Sequence, residues 1–382
     1  MKTLGYYIFA IVYYLCKPIP FKKNRVLCIA SHDDRKGSNV NLVRAALEEK
    51  DSAYSFSSIS KSQIRKVKEF SSIKALLSFF IKKPYQMARA EIILMDNVFL
   101  PMAFLRVKKH TKVVQLWHGT GTIKKFGQDV NTGRLGKLEK RANENISHLI
   151  VNSQEMKDLY AGAFGISKNR IYPIGLPKTD LMYYHMKNDL HKASIYDKYS
   201  IPQDKKLILY APTFRDYQES DNEVGKDLRD IVRQMALEIP EEYYLGVRLH
   251  PFIANDFLEN EPTSINDKRI INMSFEEEGP LLVASDILIT DYSSIIFEYS
   301  IMERPMIFYA YDLETYKNHD RGFYYDYESY VPGPLVRTSQ ELGQIFVTEN
   351  YPMYKVKEFK EKNFPYLDGK AIERLLELIC VF

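Results

Sequence analysis

The chain has 382 residues, of which 45% are hydrophobic and 27% are charged, and its formal net charge is +4. This composition is typical of a folded protein of more than one domain and excludes a disordered or low-complexity chain. The charge is too small for a dedicated nucleic-acid-binding protein, so we expect no nucleic-acid partner.

The N-terminal segment from Leu4 to Cys16 is apolar and aromatic, and Lys17, Lys22 and Lys23 follow it. A helix of that length reaches only about 20 Å, less than the ~30 Å hydrocarbon core of a bilayer. We therefore expect residues 1–23 to form a short membrane-associating helix that lies in the plane of the interface. The alternative is a helix that packs on the protein itself.

Residues 24–190 are predicted to form a first α/β domain, because short apolar runs alternate with stretches of helical spacing. Alternation of this kind is typical of a parallel sheet with helices on both faces. The predicted strands are Val26–Ala30, Glu91–Met95, Val113–Trp117 and His148–Val151, and the predicted helices include Asn41–Leu47 and Ile64–Ile81.

The stretch from Ile64 to Lys83 combines lysines with apolar residues. This pattern predicts either a basic amphipathic helix on an anionic membrane or a crossover helix with a solvated basic face.

Residues 191–365 are predicted to form a second α/β domain, and residues 366–382 a C-terminal helix that packs back on the first. Two such domains in tandem predict a ligand cleft between them, at the carboxyl ends of the strands. The predicted strands are Leu207–Tyr210, Tyr244–Leu249, Arg269–Asn272, Ile287–Thr290 and Met306–Tyr309, with helices at Lys226–Leu237, Pro280–Ala284, Ser294–Met302 and Ala371–Val381.

A loop rich in glycine and threonine follows the predicted strand that ends at Trp117, and it begins with His118, Gly119 and Thr120. Backbone N–H groups and hydroxyls at a strand end can bind phosphate oxygens, and glycine lets the backbone approach a ligand closely. His118 can accept a proton from an attacking hydroxyl near neutral pH. A structural hydrogen bond is the alternative role.

Two strand ends of the second domain carry charged side chains. Arg248 and His250 share one face of a strand end, an arrangement that suits a phosphate whose charge rises during transfer. Arg248 bridging to a surface carboxylate is the alternative. Thr213 and Arg215 follow another strand and are predicted to line the cleft.

The predicted strand Ile287–Thr290 leads into Asp291, Ser293 and Ser294 at the start of a helix. Serines at a helix N-terminus cap it and present N–H groups to phosphate, with ordinary capping as the alternative reading. Glu298 falls about one turn further along, where it could accept hydrogen bonds from a ribose diol.

Together these motifs resemble the CDP-glycerol glycerophosphotransferase family of teichoic acid enzymes. Their order and spacing match from about Val26 to Leu335, although many members have Pro-Leu where this chain has Gly121-Thr122. The chain length is similar to that of the primases or short-chain transferases rather than that of the long polymerases. The matching motifs are Trp117–Thr120, Gly175–Asp180, Ala211–Arg215, Arg248–Pro251 and Thr290–Ser294, with Arg321–Phe323 and Pro332–Pro334 as a sixth.

The resemblance implies a GT-B-like fold, in which two Rossmann-like domains face a central cleft and the C-terminal domain binds the CDP-alcohol. It implies transfer of glycerol phosphate from CDP-glycerol to a polyprenyl-diphosphate-linked acceptor, with release of CMP, at the cytoplasmic face of the cell membrane. His118 and His250 would be the two essential histidines, and Arg248, Ser293, Ser294 and Glu298 would hold the nucleotide.

Several alternatives stay open from the sequence. The donor could be CDP-ribitol, the enzyme could be a primase or a polymerase, either histidine could be the base, and homo-oligomerisation is not decided. A GT-B glycosyltransferase and a non-catalytic membrane scaffold are the readings from other classes. We expect no cofactor and no obligatory metal, because the chain lacks an Asp-x-Asp signature and its cysteines, Cys16, Cys28 and Cys380, are too widely spaced for a zinc site.

Overall fold

Two parallel sheets form the framework of the protein in a computed structural model. The structure describes residues 2–69, 72–188, 190–213, 221–249, 254, 268–319 and 322–380. The chain divides into two compact units. The first consists of Met1–Thr120, Phe126–Leu181 and Asn363–Phe382, and the second of Gly121–Lys125 and Met182–Lys362.

The sheet of the first unit has six strands within the described residues, and all of its pairings are parallel. Its strands are β1 (Arg25–Ala30), β2 (Ser55–Ser60), β3 (Ile92–Met95), β4 (Lys112–Gln115), β5 (His148–Val151) and β6 (Ile171–Pro173). Their order in the sheet is β2-β1-β3-β4-β5-β6, so β2 and β6 lie at the edges. Neither edge strand was predicted from the sequence, because β2 is serine-rich and β6 is only three residues long.

The sheet of the second unit also has six parallel strands in the described part of the chain. They are β7 (Lys206–Ala211), β8 (Tyr243–Val247), β9 (Ile270–Asn272), β10 (Ile287–Thr290), β11 (Met306–Tyr309) and β12 (Leu335–Val336). Their order is β12-β11-β10-β7-β8-β9. The predicted α/β class with two parallel sheets is therefore confirmed.

Helices connect the strands of both sheets. In the first unit they span Lys2–Cys16, Asn39–Lys50, Lys61–Lys68, Ile73–Leu77, Lys83–Ala88, Gly133–Asn143, Gln154–Phe164 and Ala371–Cys380, and Pro177–Met186 leads into the second unit. In the second unit they span Leu190–Tyr199, Asp221–Glu238, Glu278–Ala284, Ile295–Ser300, Leu313–His319, Tyr327–Tyr330, Ser339–Thr348 and Met353–Asn363.

The prediction of one helix from Ile64 to Ile81 is wrong. Helix Lys61–Lys68 ends before Ser72, whose extended backbone and hydroxyl cap a new helix at Ile73–Leu77. A π-helical turn, Ser78–Lys82, follows directly. Apolar residues keep a helical spacing on both sides of Ser72, so periodicity alone could not reveal the break.

The N-terminal helix Lys2–Cys16 packs one face on the first unit, where Phe9 and Tyr13 are fully buried. Its other face is open to solvent, with Leu4, Ile11 and Leu15 between 60% and 74% exposed. Within the described residues, no helix is long and apolar enough to cross a bilayer.

The C-terminal helix Ala371–Cys380 belongs to the core of the first unit. Leu375, Leu376 and Ile379 are buried in the same cluster as residues of β1 and of helix Asn39–Lys50. The buried Asp180 carboxylate accepts the backbone N–H groups of Ala371 and Ile372 at 2.9 and 2.8 Å. Asp180 therefore caps a helix that lies almost two hundred residues later in the chain.

We expect Asp180→Ala to lower the free energy of unfolding of the first unit by about 1–3 kcal/mol, because two N–H groups of the C-terminal helix lose their acceptor. Urea unfolding measures the loss, and hydrogen exchange locates it at Ala371–Cys380. Glu377→Ala is the control, because Glu377 is exposed on the same helix. Unchanged exchange of that helix in Asp180→Ala would contradict the capping role.

Candidate active site

The strand order of the first sheet reverses between β1 and β3. The chain runs from β1 outward to β2 and then returns to place β3 on the other side of β1. In open α/β sheets, ligands bind beside the carboxyl ends of the strands at this kind of reversal. The loops that follow β1 and β3 therefore stand where ligands bind in sheets of this kind.

Asp96 follows β3 and holds the loop that follows β1. Its buried carboxylate accepts the backbone N–H groups of Ser31, His32 and Asp33, at distances from 2.8 to 3.2 Å. Burial raises the pKa of Asp96, and the three N–H bonds oppose that shift. Asp96 was not among the predicted site residues, because the sequence around it does not show that three backbone N–H groups from the loop after β1 donate to it.

The neighbouring strand β4 ends at Gln115, two residues earlier than predicted. Trp117 then adopts a left-handed backbone with φ of 52°, which is unusual for a residue with a large side chain. The Gln115 side chain accepts the Trp117 N–H at 3.0 Å, and the indole stacks on Phe126 at 5.1 Å between ring centroids. These contacts stabilise the turn that carries His118.

The His118 ring is oriented by a backbone carbonyl. Its Nδ1 lies 3.0 Å from the carbonyl oxygen of Asp96. Because a carbonyl oxygen only accepts, this hydrogen bond requires the proton on Nδ1 and leaves the Nε2 lone pair of the neutral ring available. Burial, with a smaller contribution from His32, lowers the pKa of His118 to about 3, so the ring is neutral at pH 7.

A second imidazole, His32, lies against His118. The two ring centroids are 3.7 Å apart and the ring planes differ by 15°. Lys178, at the start of helix Pro177–Met186, also lies within electrostatic reach and lowers the pKa of His118. Neither His32 nor Lys178 was among the predicted site residues, although Lys178 lies in a motif that the sequence analysis quoted.

Two buried asparagines hold the loop that contains His118, Gly119 and Thr120. Asn39 donates to the Trp117 carbonyl at 3.1 Å, and Asn152 donates to the Thr120 carbonyl at 2.6 Å. Each amide oxygen accepts a backbone N–H from the segment 176–178. The loop is therefore fixed at both ends, and Gly119 lies between the two anchors.

The second sheet has the same kind of reversal, between β7 and β10. Asp291 follows β10, and its Oδ1 accepts the backbone N–H of Thr213, which follows β7, at 2.8 Å. Arg248 follows the next strand, β8, and its guanidinium lies 3.6 Å from the Glu278 carboxylate. Three predicted residues of the second unit therefore stand at the ends of adjacent strands.

The alternative role predicted for Arg248 was an ion pair with a surface carboxylate. The structure agrees in part, because Arg248 is paired with Glu278. Both side chains are only about one-fifth exposed, with relative exposures of 19% and 23%. The pair is therefore not an ordinary surface salt bridge.

The predicted serine cap differs in detail from the structure. Ser293 accepts the N–H of Ile295 at 3.3 Å, whereas Ser294 occupies the capping position without a side-chain capping bond. Glu298 is buried, with an exposed fraction of 4%. His250 and Arg215 lie outside the described residues, so their roles stay predictions.

Gly121, where many family members have proline, lies against Phe297 within the second unit. A Cβ atom added to Gly121 would lie 2.3 Å from the Phe297 ring. Lys124 pairs with Phe323 in an isolated β-bridge, and its Nζ donates to the Tyr316 hydroxyl at 2.9 Å. The glycine therefore permits a close approach to Phe297 in this chain.

Comparison with known proteins identifies relatives. Residues 11–381 match the family model described as CDP-Glycerol:Poly(glycerophosphate) glycerophosphotransferase. The teichoic acid glycerol-phosphate primase of Bacillus subtilis (strain 168) is 37% identical over 305 residues, covering 78% of this chain and 76% of that protein. The teichoic acid poly(ribitol-phosphate) polymerase of Bacillus spizizenii is 32% identical over 385 residues, covering 99% of this chain but 60% of the longer relative.

Solved structures show the same fold. A variant of the wall teichoic acid polymerase TagF is similar with a TM-score of 0.77 at 22% identity, over 97% of this chain and 93% of that chain. A UDP-GlcNAc 2-epimerase from Neisseria meningitidis, bound to UDP-GlcNAc, has a TM-score of 0.59 at 13% identity, over 93% of this chain and 99% of that chain. The expected GT-B-like fold is confirmed.

We expect Asp96→Asn to lower the free energy of unfolding by about 1–3 kcal/mol, because the amide nitrogen would face a backbone N–H that now donates to a carboxylate oxygen. Urea unfolding measures the change. Asp34→Asn, two residues from His32 on the exposed part of the same loop, serves as the control. Equal midpoints for both variants would show that the carboxylate does not hold the loop.

Proposed function

The chain belongs to the CDP-glycerol:poly(glycerophosphate) glycerophosphotransferase family, and from that premise we propose that it transfers glycerol phosphate from CDP-glycerol to a lipid-linked acceptor in teichoic acid synthesis. CMP is the released product. The acceptor is a polyprenyl-diphosphate-linked saccharide that offers a hydroxyl group.

The observation that carries this proposal is the tautomer of His118. A neutral ring with its proton on Nδ1 has a lone pair on Nε2, which is what a general base needs. The low pKa of the ring keeps it unprotonated at neutral pH. A general base of this kind contributes about 10²- to 10⁴-fold to a rate.

In the proposed reaction, the acceptor hydroxyl oxygen attacks the phosphorus atom that carries the glycerol. The new bond joins the acceptor oxygen to that phosphorus, and the bond to the bridging oxygen of CMP breaks. The hydroxyl proton moves to Nε2 of His118, and CMP leaves with the electron pair. Transition states of this type are loose, so positioning and charge stabilisation supply most of the rate.

Positive charge and hydrogen-bonding groups near the phosphates are the second requirement of phosphoryl transfer. Lys178 lies near His118 in the first unit, and Arg248, Thr213 and Ser293 lie at strand ends of the second. A bound phosphate would compete with Glu278 for Arg248, and a bidentate guanidinium–phosphate pair is stronger than a contact at 3.6 Å. Asp291 would support the Thr213 loop, and Gly119, Thr120, Ser294 and Glu298 stay proposed donor-binding residues.

His250 is proposed as a second essential histidine and Arg215 as a further phosphate-binding group. Both proposals rest on the family motifs Arg248–Pro251 and Ala211–Arg215.

CDP-ribitol is the second candidate donor. The match to the ribitol polymerase extends over 99% of this chain, whereas the higher identity belongs to a glycerol primase. Glycerol and ribitol offer hydroxyl groups of a similar kind to the same pocket. The assay must therefore offer both donors to distinguish between them. One added unit on the acceptor would indicate a primase, and a ladder of products would indicate a polymerase.

We expect His118→Ala to lower the rate of CMP release by about 10²- to 10⁴-fold while CDP-glycerol still binds, because the variant loses only the proton acceptor. The assay combines the purified protein with CDP-glycerol or CDP-ribitol and a lipid-linked disaccharide analogue. It measures CMP release together with product mass.

His110→Ala is the matched control, because His110 is an exposed histidine of the same unit. Near-wild-type turnover in His118→Ala would refute the role of His118 as the base. Release of UDP or GDP from a nucleotide sugar would favour a glycosyltransferase. A wild-type protein inactive with every donor and acceptor would favour a scaffold.

The exposed face of helix Lys2–Cys16 supports a peripheral location on a membrane, and the family resemblance is the basis for proposing the cytoplasmic face. An apolar groove of about 470 Å³ is lined by Tyr7, Ala10, Ile11, Tyr14, Leu15 and Phe104. The neighbouring segment 73–82 exposes Ile73, Leu77 and Ile81 beside Lys74 and Lys82. Apolar side chains flanked by lysines match the surface of an anionic bilayer.

We expect the double variant Ile11→Asp, Leu15→Glu to bind phosphatidylglycerol vesicles at least about tenfold more weakly, because two largely exposed apolar side chains become acidic. Co-sedimentation with vesicles measures binding. Leu237→Glu changes a leucine of the second unit that is 81% exposed, and this variant should bind as the wild type does. If the double variant bound vesicles as well as the wild type does, the exposed face of helix Lys2–Cys16 would be excluded as the membrane-binding surface.

A further inference from the structure

The exposed His32 contacts the half-buried His118 through its ring. His32 lies in the loop after β1, and His118 lies in the loop after β4, so only the fold brings them together. The two rings are parallel to within 15° at a centroid separation of 3.7 Å. Parallel stacking leaves no hydrogen bond between them, so this contact is one of packing and charge rather than proton transfer.

The position of His32 is fixed by its backbone rather than by its ring. The His32 N–H donates to both oxygens of the Asp96 carboxylate at 3.2 Å. The carbonyl of the same Asp96 accepts from His118 Nδ1 at 3.0 Å. One residue therefore sets the positions of both imidazoles, which explains how an exposed side chain keeps a defined place against its neighbour.

We propose that His32 is a positioning residue for His118, whose ring it covers and holds through the stacked contact. This inference rests on the proposed function, in which His118 accepts the proton of the acceptor hydroxyl. No role for His32 follows from the motifs that carry the family resemblance.

The stacked ring has two physical effects on His118. It blocks rotation of the imidazole away from the Asp96 carbonyl, and misplacing a catalytic group by about 1 Å can cost ~10²-fold in rate. It also keeps water from one side of His118, and this desolvation disfavours the charged imidazolium. On another side, the Trp117 ring lies 4.1 Å from the His118 ring.

Charged and titratable groups surround both rings, and they decide the direction of any pH effect. His118 faces His32 and Lys178, which lower its pKa, whereas the hydrogen bond to the Asp96 carbonyl and the charge of Asp33 raise it. For His32, loss of solvent on the covered side is the largest cause and lowers the pKa. The charges of Asp96 and Asp33 raise the pKa of His32, and those of Lys61 and Arg35 lower it.

The expected pH dependence follows from these signs. Burial is the largest cause that lowers the pKa of His118 to about 3, and His32 is the next. Removing the His32 ring weakens both causes, so the pKa of His118 must rise toward its ordinary value of 6.5. A base loses activity as the pH falls through its pKa, so the acid limb of the pH profile must move to higher pH.

The experiment compares His32→Ala with His32→Phe. Phenylalanine keeps a ring over His118 but cannot be protonated, whereas alanine removes the ring as well. We expect His32→Ala to lower kcat by about 10- to 10²-fold and to move the acid limb of kcat/KM upward. We expect His32→Phe to keep most of kcat, with an acid limb near that of the wild type.

His110→Ala is the control for loss of an exposed imidazole from the first unit. A pH profile of His32→Ala that matches the wild type overturns the proposal. So does a His32→Phe variant that behaves like His32→Ala, because the stacked ring would then not be the cause.

An NMR titration of His118 tests the inference separately from the proposed function. The imidazole signal of His118 is assigned by its loss in His118→Gln and is followed from pH 8 to pH 5. We expect no titration in the wild type or His32→Phe, and a clear titration in His32→Ala. Identical His118 titrations in the three proteins overturn the inference even if no transferase activity is found.

Discussion

In each unit, a buried carboxylate at the reversal of strand order is the constraint on which the loops at the strand ends depend. At the end of β3, Asp96 accepts three successive backbone N–H groups from the loop after β1. At the end of β10, Asp291 accepts the N–H of Thr213 from the loop after β7. In each sheet the two strands are neighbours in space but not in sequence, so the hydrogen bond fixes a loop that the chain alone would leave free.

The first carboxylate also resolves a conflict of charge. A phosphate-binding site tolerates a nearby anion poorly, because like charges within a few ångströms repel. The oxygens of Asp96 are directed at backbone N–H groups, and these dipoles offset their charge. His118 contacts the backbone carbonyl of Asp96 rather than its carboxylate, so the ring donates its hydrogen bond to a neutral acceptor.

The fold and the strand ends were largely predictable, whereas the contacts between them were not. Apolar runs located β1, β3, β5, β10 and β11, because a strand buried on both faces is continuous in sequence. The edge strand β2 was missed because its serines interrupt any apolar run. The break at Ser72 was missed because a capping hydroxyl does not change the spacing of the apolar residues around it. Polar residues at strand ends indicated His118, Arg248 and Asp291. His32, Asn39 and Asn152 could not be found this way, because their partners lie tens of residues away in the chain.

The environment of His118 links base strength to the presence of an anion. In the protein alone, burial keeps the pKa of the ring at about 3, which makes it neutral but weakly basic. A phosphate bound beside the ring would favour the imidazolium and so raise the pKa toward the range in which a general base works best. In the proposed reaction, burial would therefore keep the ring unprotonated before a phosphate binds, and the charge of the phosphate would strengthen it as a base. A permanently exposed histidine would lack this coupling, because water would already stabilise its charged form.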